Sequence, residues 1–111
     1  MRLPAAVELR TEKQLEAQVK QLCQMFGWLY YHTTRSQWSP AGFPDIVAVH
    51  SAQKRIIYAE LKRTSKQKLA PEQVVWRDAL CAVGAEYYIW TWSTPPEDIV
   101  NALRPNNPAR A

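Results

Sequence analysis

Asp45, Glu60 and Lys62 have the types and spacing for chemistry on a charged substrate. Two apolar, β-branched runs, 45–50 and 55–61, are separated by a short polar segment, a pattern that predicts an antiparallel hairpin. A symmetric turn in that segment would place Asp45 directly opposite Glu60, with their Cβ atoms about 4.5–5.5 Å apart. Lys62 would point to the same face, because side chains alternate along a strand. A turn that is longer or shorter by one residue would separate the carboxylates, so this expectation depends on the register.

A close pair of carboxylates needs a cation or a proton. Two such acids repel, and one takes up a proton unless a positive charge lies between them. Mg²⁺ or Mn²⁺ would resolve the conflict, because a hard divalent ion prefers oxygen ligands and keeps several waters for reaction. Taken singly, each residue is better explained as a solvated charge at a strand end. Their combination on the strand face that carries Ile56 and Tyr58, which invite burial, favours a site.

The surrounding pattern places helices on both sides of these strands in sequence. Thr11 and Gln14 form a capping-box pattern before a helical run, and the prolines of 35–44 predict a long loop. A cap at Thr94 predicts a last, short helix. The predicted elements, in chain order, are a helix at 11–26, strands at 28–34, 45–50 and 55–61, a helix at 71–83, a strand at 86–92 and the short helix that ends near Leu103. The order α-β-β-β-α-β-α indicates an α/β fold, a mixed sheet flanked by helices.

Length and composition indicate one globular domain. The chain has 111 residues, of which 47% are hydrophobic and 22% charged, and this is enough for one sheet and one core. We expect a single domain at 11–103 with terminal extensions at 1–10 and 104–111. The net charge of +4 favours a polyanionic partner.

Neither a membrane segment nor a metal–thiolate site is expected. No apolar run approaches the ~20 residues that span a bilayer, and no secretory signal is recognisable, so a cytoplasmic location follows by default. Cys23 and Cys81 lie in apolar helical patterns without metal-ligand spacing. They are expected to be buried core thiols.

Four motifs follow one another along the chain and together resemble a known family. They are Gly42-Phe43-Pro44-Asp45, Ala59-Glu60-Leu61-Lys62, Pro71-Glu72-Gln73 and Trp76. In this order they resemble the VRR-NUC family, a branch of the PD-(D/E)XK nuclease superfamily, in its short stand-alone phage and bacterial form. The resemblance covers 11–103. It implies a restriction-endonuclease-like fold and Mg²⁺- or Mn²⁺-dependent cleavage of phosphodiester bonds, as in Holliday junction resolving enzymes and structure-selective repair nucleases.

The resemblance also implies roles for individual residues. Asp45, Glu60 and the backbone carbonyl of Leu61 would bind the metal. Lys62 would orient the attacking water or stabilise the charge that develops on the phosphate. Gln73 is similar to a glutamine on the family's second helix and would support the site.

The family has a further acid on its first helix, for which this chain offers two candidates. Measured from Leu15 at 100° per residue, Glu12 lies at about 60°, inside the apolar arc, and Glu16 at about 100°, at its border. We favour Glu12 as a metal ligand. An ordinary first-turn acid that complements the helix dipole explains Glu12 equally well.

Cations flank the predicted centre on both sides in sequence. Arg35 precedes it, and Arg63, Lys66 and Lys68 follow it. Beside a nuclease motif these residues are candidates for contacts with DNA phosphates. In isolation, a solvated charged loop explains them as well.

The favoured hypothesis is a Mg²⁺- or Mn²⁺-dependent DNA endonuclease that selects Holliday junctions or other branched DNA. One site per domain favours a homodimer, because symmetric cutting of two strands needs two sites. No organic cofactor is expected. The alternatives are a catalytically inactive nucleic-acid-binding module of the same fold, an RNA-directed nuclease, and a toxin or restriction-type enzyme.

Overall fold

The computed structural model describes residues 11–34 and 40–105. The predicted extension 1–10, residues 106–111 and part of the predicted long loop lie outside these ranges. The described elements, in chain order, are α1 (Glu12–Met25), β1 (Leu29–His32), β2 (Ile46–His50), β3 (Arg55–Leu61), α2 (Pro71–Ala82), β4 (Glu86–Trp90) and α3 (Pro96–Leu103). Among them, no helix is both long and apolar enough to cross a membrane.

The four strands form one mixed sheet in the order β1-β2-β3-β4. The first three pair antiparallel, whereas β3 and β4 pair parallel and are connected through α2. Parallel neighbouring strands need such a crossover, because the chain must return to the edge of the sheet where the first strand began before the second strand can start. The predicted fold class, a mixed sheet flanked by helices in the order α-β-β-β-α-β-α, is confirmed.

The register of the β2–β3 hairpin is the one that a symmetric turn predicts. His50 pairs with Arg55 beside the turn, and Ile46 pairs with Ala59 at the other end. Lys54 has a φ of 56°, the left-handed conformation that closes the turn. The pairing ends at Ile46 and Ala59, and the same register extended by one step would set Asp45 opposite Glu60.

The core lies between one face of the sheet and helices α1 and α3. It consists of buried apolar residues from both helices and from the inward positions of the strands, among them Leu15, Val19, Ile46, Ala48, Ile57, Ala59, Leu61, Ile99 and Leu103. The capping box at Thr11 and Gln14 is confirmed: each backbone N–H bonds to the other's side chain. Helix α2 lies on the opposite face, over β4.

Two strands are shorter than the sequence predicts: β1 spans Leu29–His32 rather than 28–34, and β4 spans Glu86–Trp90 rather than 86–92. Trp28 is not part of β1; its buried indole N–H donates to the Leu103 carbonyl at 3.0 Å. After Trp90 the chain leaves β4, because the Thr91 N–H donates to the Thr94 hydroxyl at 2.9 Å and closes a turn. The predicted cap at Thr94 is therefore wrong, since Pro95 is the N-cap of α3.

Two predictions of burial are also corrected. Cys81 is exposed, whereas Cys23 is buried as expected. Ile56 is 43% exposed, because α2 covers the β4 side of that face and leaves the turn end of β3 open. Burial on this face begins nearer the carboxylates, where Phe43 packs edge-on against Tyr58.

Candidate active site

Asp45 is held at the end of the sheet by bonds from both neighbouring strands. Its backbone carbonyl accepts a hydrogen bond from the Thr33 N–H at 2.7 Å. Its carboxylate oxygen Oδ2 accepts another from the Leu61 N–H at 2.8 Å. The first bond extends the backbone pairing with the β1 side past Ile46, and the second fixes the carboxylate beside the end of β3.

Glu60 is a buried acid without full compensation. Its side chain is 2% exposed, and Oε2 accepts a hydrogen bond from Gln73 Nε2 at 2.8 Å. The Lys62 ammonium lies 3.9 Å from the same oxygen. Oε1 is buried and has no hydrogen-bond partner among the described residues. The pKa of Glu60 is raised to about 8 by burial first, then by the charge of nearby Asp45 and by the proton that the two carboxyl groups would share in a hydrogen bond, while the charge of Lys62 lowers it in part.

Gln73 connects the acid to the lysine. Its Oε1 accepts hydrogen bonds from Lys62 Nζ at 2.9 Å and from the Ala70 N–H at 2.7 Å, while its Nε2 donates to Glu60. The Ala70 bond replaces the side-chain cap that α2 otherwise lacks. A glutamine suits this position because one amide offers an acceptor to the lysine and a donor to the carboxylate.

The loop before β2 is packed against the start of α2, a contact that no local pattern predicts. Gly42 has a φ of +90°, and a Cβ there would lie 2.4 Å from the backbone carbonyl of Glu72. Phe43 packs edge-on against Trp76 at 4.9 Å between ring centroids, and Pro44 is fully buried. The loop thereby brings Asp45 and α2 together. The glycine in a proline-rich loop was the available signal.

A cleft beside Asp45 contains both candidate acids of α1. Its lining includes Glu12, Glu16, Asp45 and Leu61, and its volume is about 350 Å³. Glu16 accepts a hydrogen bond from the Tyr30 hydroxyl, whereas the charge of Glu12 contributes to the raised pKa of Glu60. Glu12 is exposed at the first turn of α1, so the predicted position inside the apolar arc does not bury it.

A second cleft opens on the other side of Asp45. It has a volume of about 290 Å³ and is lined by Thr33, Gly42, Asp45, Glu72 and Gln73, among others. The hydroxyl of Thr33 is buried without a hydrogen-bond partner among the described residues. Sequence reasoning did not identify this threonine, which stood in a run assigned to a strand.

Three of the four predicted phosphate-binding cations lie within the described residues. Arg63, Lys66 and Lys68 are exposed on the loop between Lys62 and α2, next to the half-buried Lys62. Arg35 lies outside the described residues. The structure therefore locates a cationic loop on one side of the carboxylates.

The two carboxylates fit a hard divalent cation that takes few protein ligands better than a metal held by several His or Cys side chains. No group of three or more His, Cys, Asp or Glu residues suited to a metal occurs within 11–34 and 40–105. Mg²⁺, however, binds proteins through one or two carboxylates and keeps its remaining sites for water and substrate. The buried, unpartnered Glu60 Oε1 next to Asp45 is the kind of oxygen that such an ion would satisfy.

Comparison with known proteins identifies the fold. A solved structure described as a VRR_NUC domain superposes on this chain with a TM-score of 0.65 at 19% sequence identity, and the match covers 79% of this chain and 88% of that one. No family model and no curated protein matches the sequence. The fold is thus that of a VRR-NUC domain, as the motifs suggested.

Proposed function

We propose that this chain, which has the fold of a VRR-NUC domain, is a Mg²⁺- or Mn²⁺-dependent nuclease that hydrolyses phosphodiester bonds in DNA. One observation carries the proposal: a buried acid, Glu60, keeps an unpartnered oxygen beside Asp45, while its other oxygen is tied through Gln73 to Lys62. A purely structural core avoids a pair of carboxylates, because buried charges without a partner are costly. Such a pair is expected where a cation binds.

Asp45 and Glu60 would hold the ion through their carboxylates. The Leu61 carbonyl would add a third protein ligand, and Glu12 would add negative charge at the edge of the same cleft. When bound, the ion would lower the pKa of a water molecule and neutralise charge on the phosphate. The bond from the Leu61 N–H fixes the Asp45 carboxylate before any ligand arrives, so little reorganisation is needed.

Lys62 would act on the substrate. Its side chain is 14% exposed and its ammonium is held by Gln73, so the ammonium stays close to the acids and would be within reach of a phosphate oxygen. There it would stabilise the developing negative charge or orient the attacking water. Arg63, Lys66 and Lys68 would bind flanking phosphates without reading sequence.

We further propose branched DNA, such as a Holliday junction, as the preferred substrate, a homodimer as the active form and the cytoplasm as its location. The VRR-NUC fold and the motifs support the first of these. The need for two sites to cut two strands symmetrically supports the second. Light scattering with and without DNA tests the dimer, and a monomer in both conditions would contradict it.

Cleavage assays with Mg²⁺ or Mn²⁺ test the function. Branched and linear DNA of matched sequence should both be presented, together with RNA of identical shape. We expect cleavage of branched DNA by the wild type and its loss in Asp45→Asn, which keeps the shape of the side chain but removes its charge. Asp78→Asn, on the exposed face of α2, is the matched control and should cut normally.

Calorimetry separates a nuclease from a binding module of the same fold. A nuclease should bind Mn²⁺ at the carboxylates, and Asp45→Asn should abolish that binding. DNA binding with neither Mn²⁺ uptake nor cleavage would favour the module instead. Cleavage of RNA in preference to DNA would move the substrate assignment to RNA.

A further inference from the structure

A third cleft adjoins Lys62 but does not include either carboxylate. Its volume is about 320 Å³, and six of its polar lining residues define what we call the hydroxyl cleft: Lys62, Thr64, Gln67, Thr91, Ser93 and Thr94. Leu69 and Ile89 supply apolar surface within it. Lys62 lines this cleft and also bonds to Gln73, so the hydroxyl cleft adjoins the candidate site at this lysine.

The hydroxyl cleft is rich in hydrogen-bond donors. The Thr94 hydroxyl accepts from the Thr91 N–H, and the Thr91 hydroxyl accepts from the Ser93 N–H, both at 2.9 Å. Neither hydroxyl donates to another described residue, so its proton is available to a ligand. Gln67 uses Oε1 to accept from the Arg63 and Thr64 N–H groups, which leaves its Nε2 as a donor.

Charge distinguishes this cleft from the two beside Asp45. Those are lined by Asp45 with Glu72, and by Asp45 with Glu12 and Glu16. No acidic residue is among the residues that line the hydroxyl cleft, and Lys62 is positive. Phosphate oxygens only accept hydrogen bonds, so a phosphate suits the hydroxyl cleft, whereas the acidic clefts suit a cation.

We propose that the hydroxyl cleft binds the backbone phosphate next to the one that is cut. This inference rests on the proposed nuclease function and adds a second phosphate position to it. Lys62 joins the two positions, the sugar between them lies on Leu69 and Ile89, and the hydroxyls hold the neighbouring phosphate. Such a contact orients the strand, because it fixes a second point along the backbone.

Introducing a negative charge tests the cleft. Ser93 is exposed, and its hydroxyl makes no hydrogen bond within the described residues, so Ser93→Asp should fold normally. Ser51→Asp, in the exposed turn at the far end of the sheet, is the matched control. Binding of branched DNA is measured with Ca²⁺ in place of Mg²⁺ to prevent cleavage. We expect Ser93→Asp to weaken binding by about tenfold or more and to reduce the salt slope by about one. Ser51→Asp should do neither.

DNA with single uncharged methylphosphonate linkages identifies the phosphate concerned. The wild-type cut position is mapped first, and the linkages on each side of it are then neutralised one at a time. At one of these positions, neutralisation should weaken wild-type binding but restore most of the binding that Ser93→Asp has lost. Additive effects at every position would overturn the inference while leaving the nuclease function intact. A wild type that neither cuts nor binds DNA would overturn both.

Discussion

Gln73 Nε2 donates a hydrogen bond to Glu60 Oε2 over 2.8 Å, and both side chains are more than 90% buried. This bond joins α2 to the end of β3 and orients the acid toward Asp45. The other end of the same amide holds Lys62. Gln73 of α2 is therefore bonded both to an acid at the end of β3 and to the lysine that follows this strand.

Gln73→Ala should reduce cleavage without preventing DNA binding. Glu60 and Lys62 would both lose a partner, and outer-shell partners of this kind typically contribute 10- to 100-fold to activity. We expect kcat to fall by about that factor and KM to change little. Val75→Ala, at an exposed site on the same helix, is the control. Equal kinetics for the two variants would contradict a positioning role for Gln73.

Glu60→Gln should stabilise the metal-free protein at alkaline pH. The pKa of Glu60 is raised from its ordinary value of 4.5 to about 8, so the unfolded chain releases this proton first. Stability of the metal-free wild type should therefore fall as pH rises from 4.5 to 8 and then level off. Calorimetric Tm values should show the variant several degrees above the wild type at pH 8.

With Mg²⁺ at pH 8, the Tm of the wild type should exceed that of Glu60→Gln. Mg²⁺ would raise the Tm of the wild type, because a ligand that binds only the folded state stabilises it, and it would leave Glu60→Gln unchanged. The variant should be inactive. A Tm for Glu60→Gln at or below that of the metal-free wild type at pH 8 would show that ionised Glu60 is already compensated.

Gly42→Ala should destabilise the protein far more than Gly84→Ala. Both glycines have positive φ, which strains an alanine by about 1–2 kcal/mol. At Gly84 a Cβ would meet nothing within 4 Å, whereas at Gly42 it would lie 2.4 Å from the Glu72 backbone. We expect Gly42→Ala to lose at least about 2 kcal/mol more in denaturant unfolding. Similar losses of unfolding free energy in both variants would mean that the loop at Gly42 shifts to accommodate the added Cβ.

Arg55→Ala should destabilise the fold without changing the chemistry. Arg55 makes two hydrogen bonds of 2.8 Å to Glu86, and their side chains are only 13% and 19% exposed. Removal of one partner of a buried pair typically costs about 3–5 kcal/mol. Arg77→Ala breaks a pair that is 39% and 65% exposed and should cost about 1 kcal/mol or less.

The activity of Arg55→Ala, measured per folded molecule, should match the wild type. Arg55 starts β3 at the turn end, roughly 17 Å along the strand from Glu60 at about 3.3 Å per residue. A second variant, Arg55→Met combined with Glu86→Gln, should recover part of the lost stability, since it leaves no unpaired buried charge. A selective loss of cleavage in folded Arg55→Ala would mean that the turn end of the sheet influences the active site.

The parts of the fold that sequence could predict depend on local or periodic signals. The Thr11 capping box spans one helical turn, and the juxtaposition of Asp45 and Glu60 follows from turn symmetry alone. Strand ends were less predictable. Trp92 is a residue type that is common in strands, but a hydrogen bond between Thr91 and Thr94 ends β4 before it.

The contacts that assemble the site join parts of the chain that are distant in sequence, and no sequence pattern predicted these contacts. Gly42 lies against Glu72, and Gln73 bonds to Glu60, because α2 packs across the sheet. Resemblance to a family suggested that Gln73 mattered but not which atoms it bonds. The donors around Thr91 are likewise brought to Lys62 by the parallel β3–β4 pairing, which no local pattern encodes.

The short connection between β2 and β3 carries a constraint on its length. Insertion of one residue there, if the strands slid to accommodate it, would set Asp45 against Ala59 or Leu61, both of which face the core side of the sheet. Residues of this turn can therefore be exchanged where they keep its conformation, including the positive φ at Lys54, but residues can be added or removed only where the pairing beyond is preserved. The length of this exposed turn, which takes no part in the chemistry, thus decides whether Asp45 and Glu60, which are distant in sequence, lie side by side.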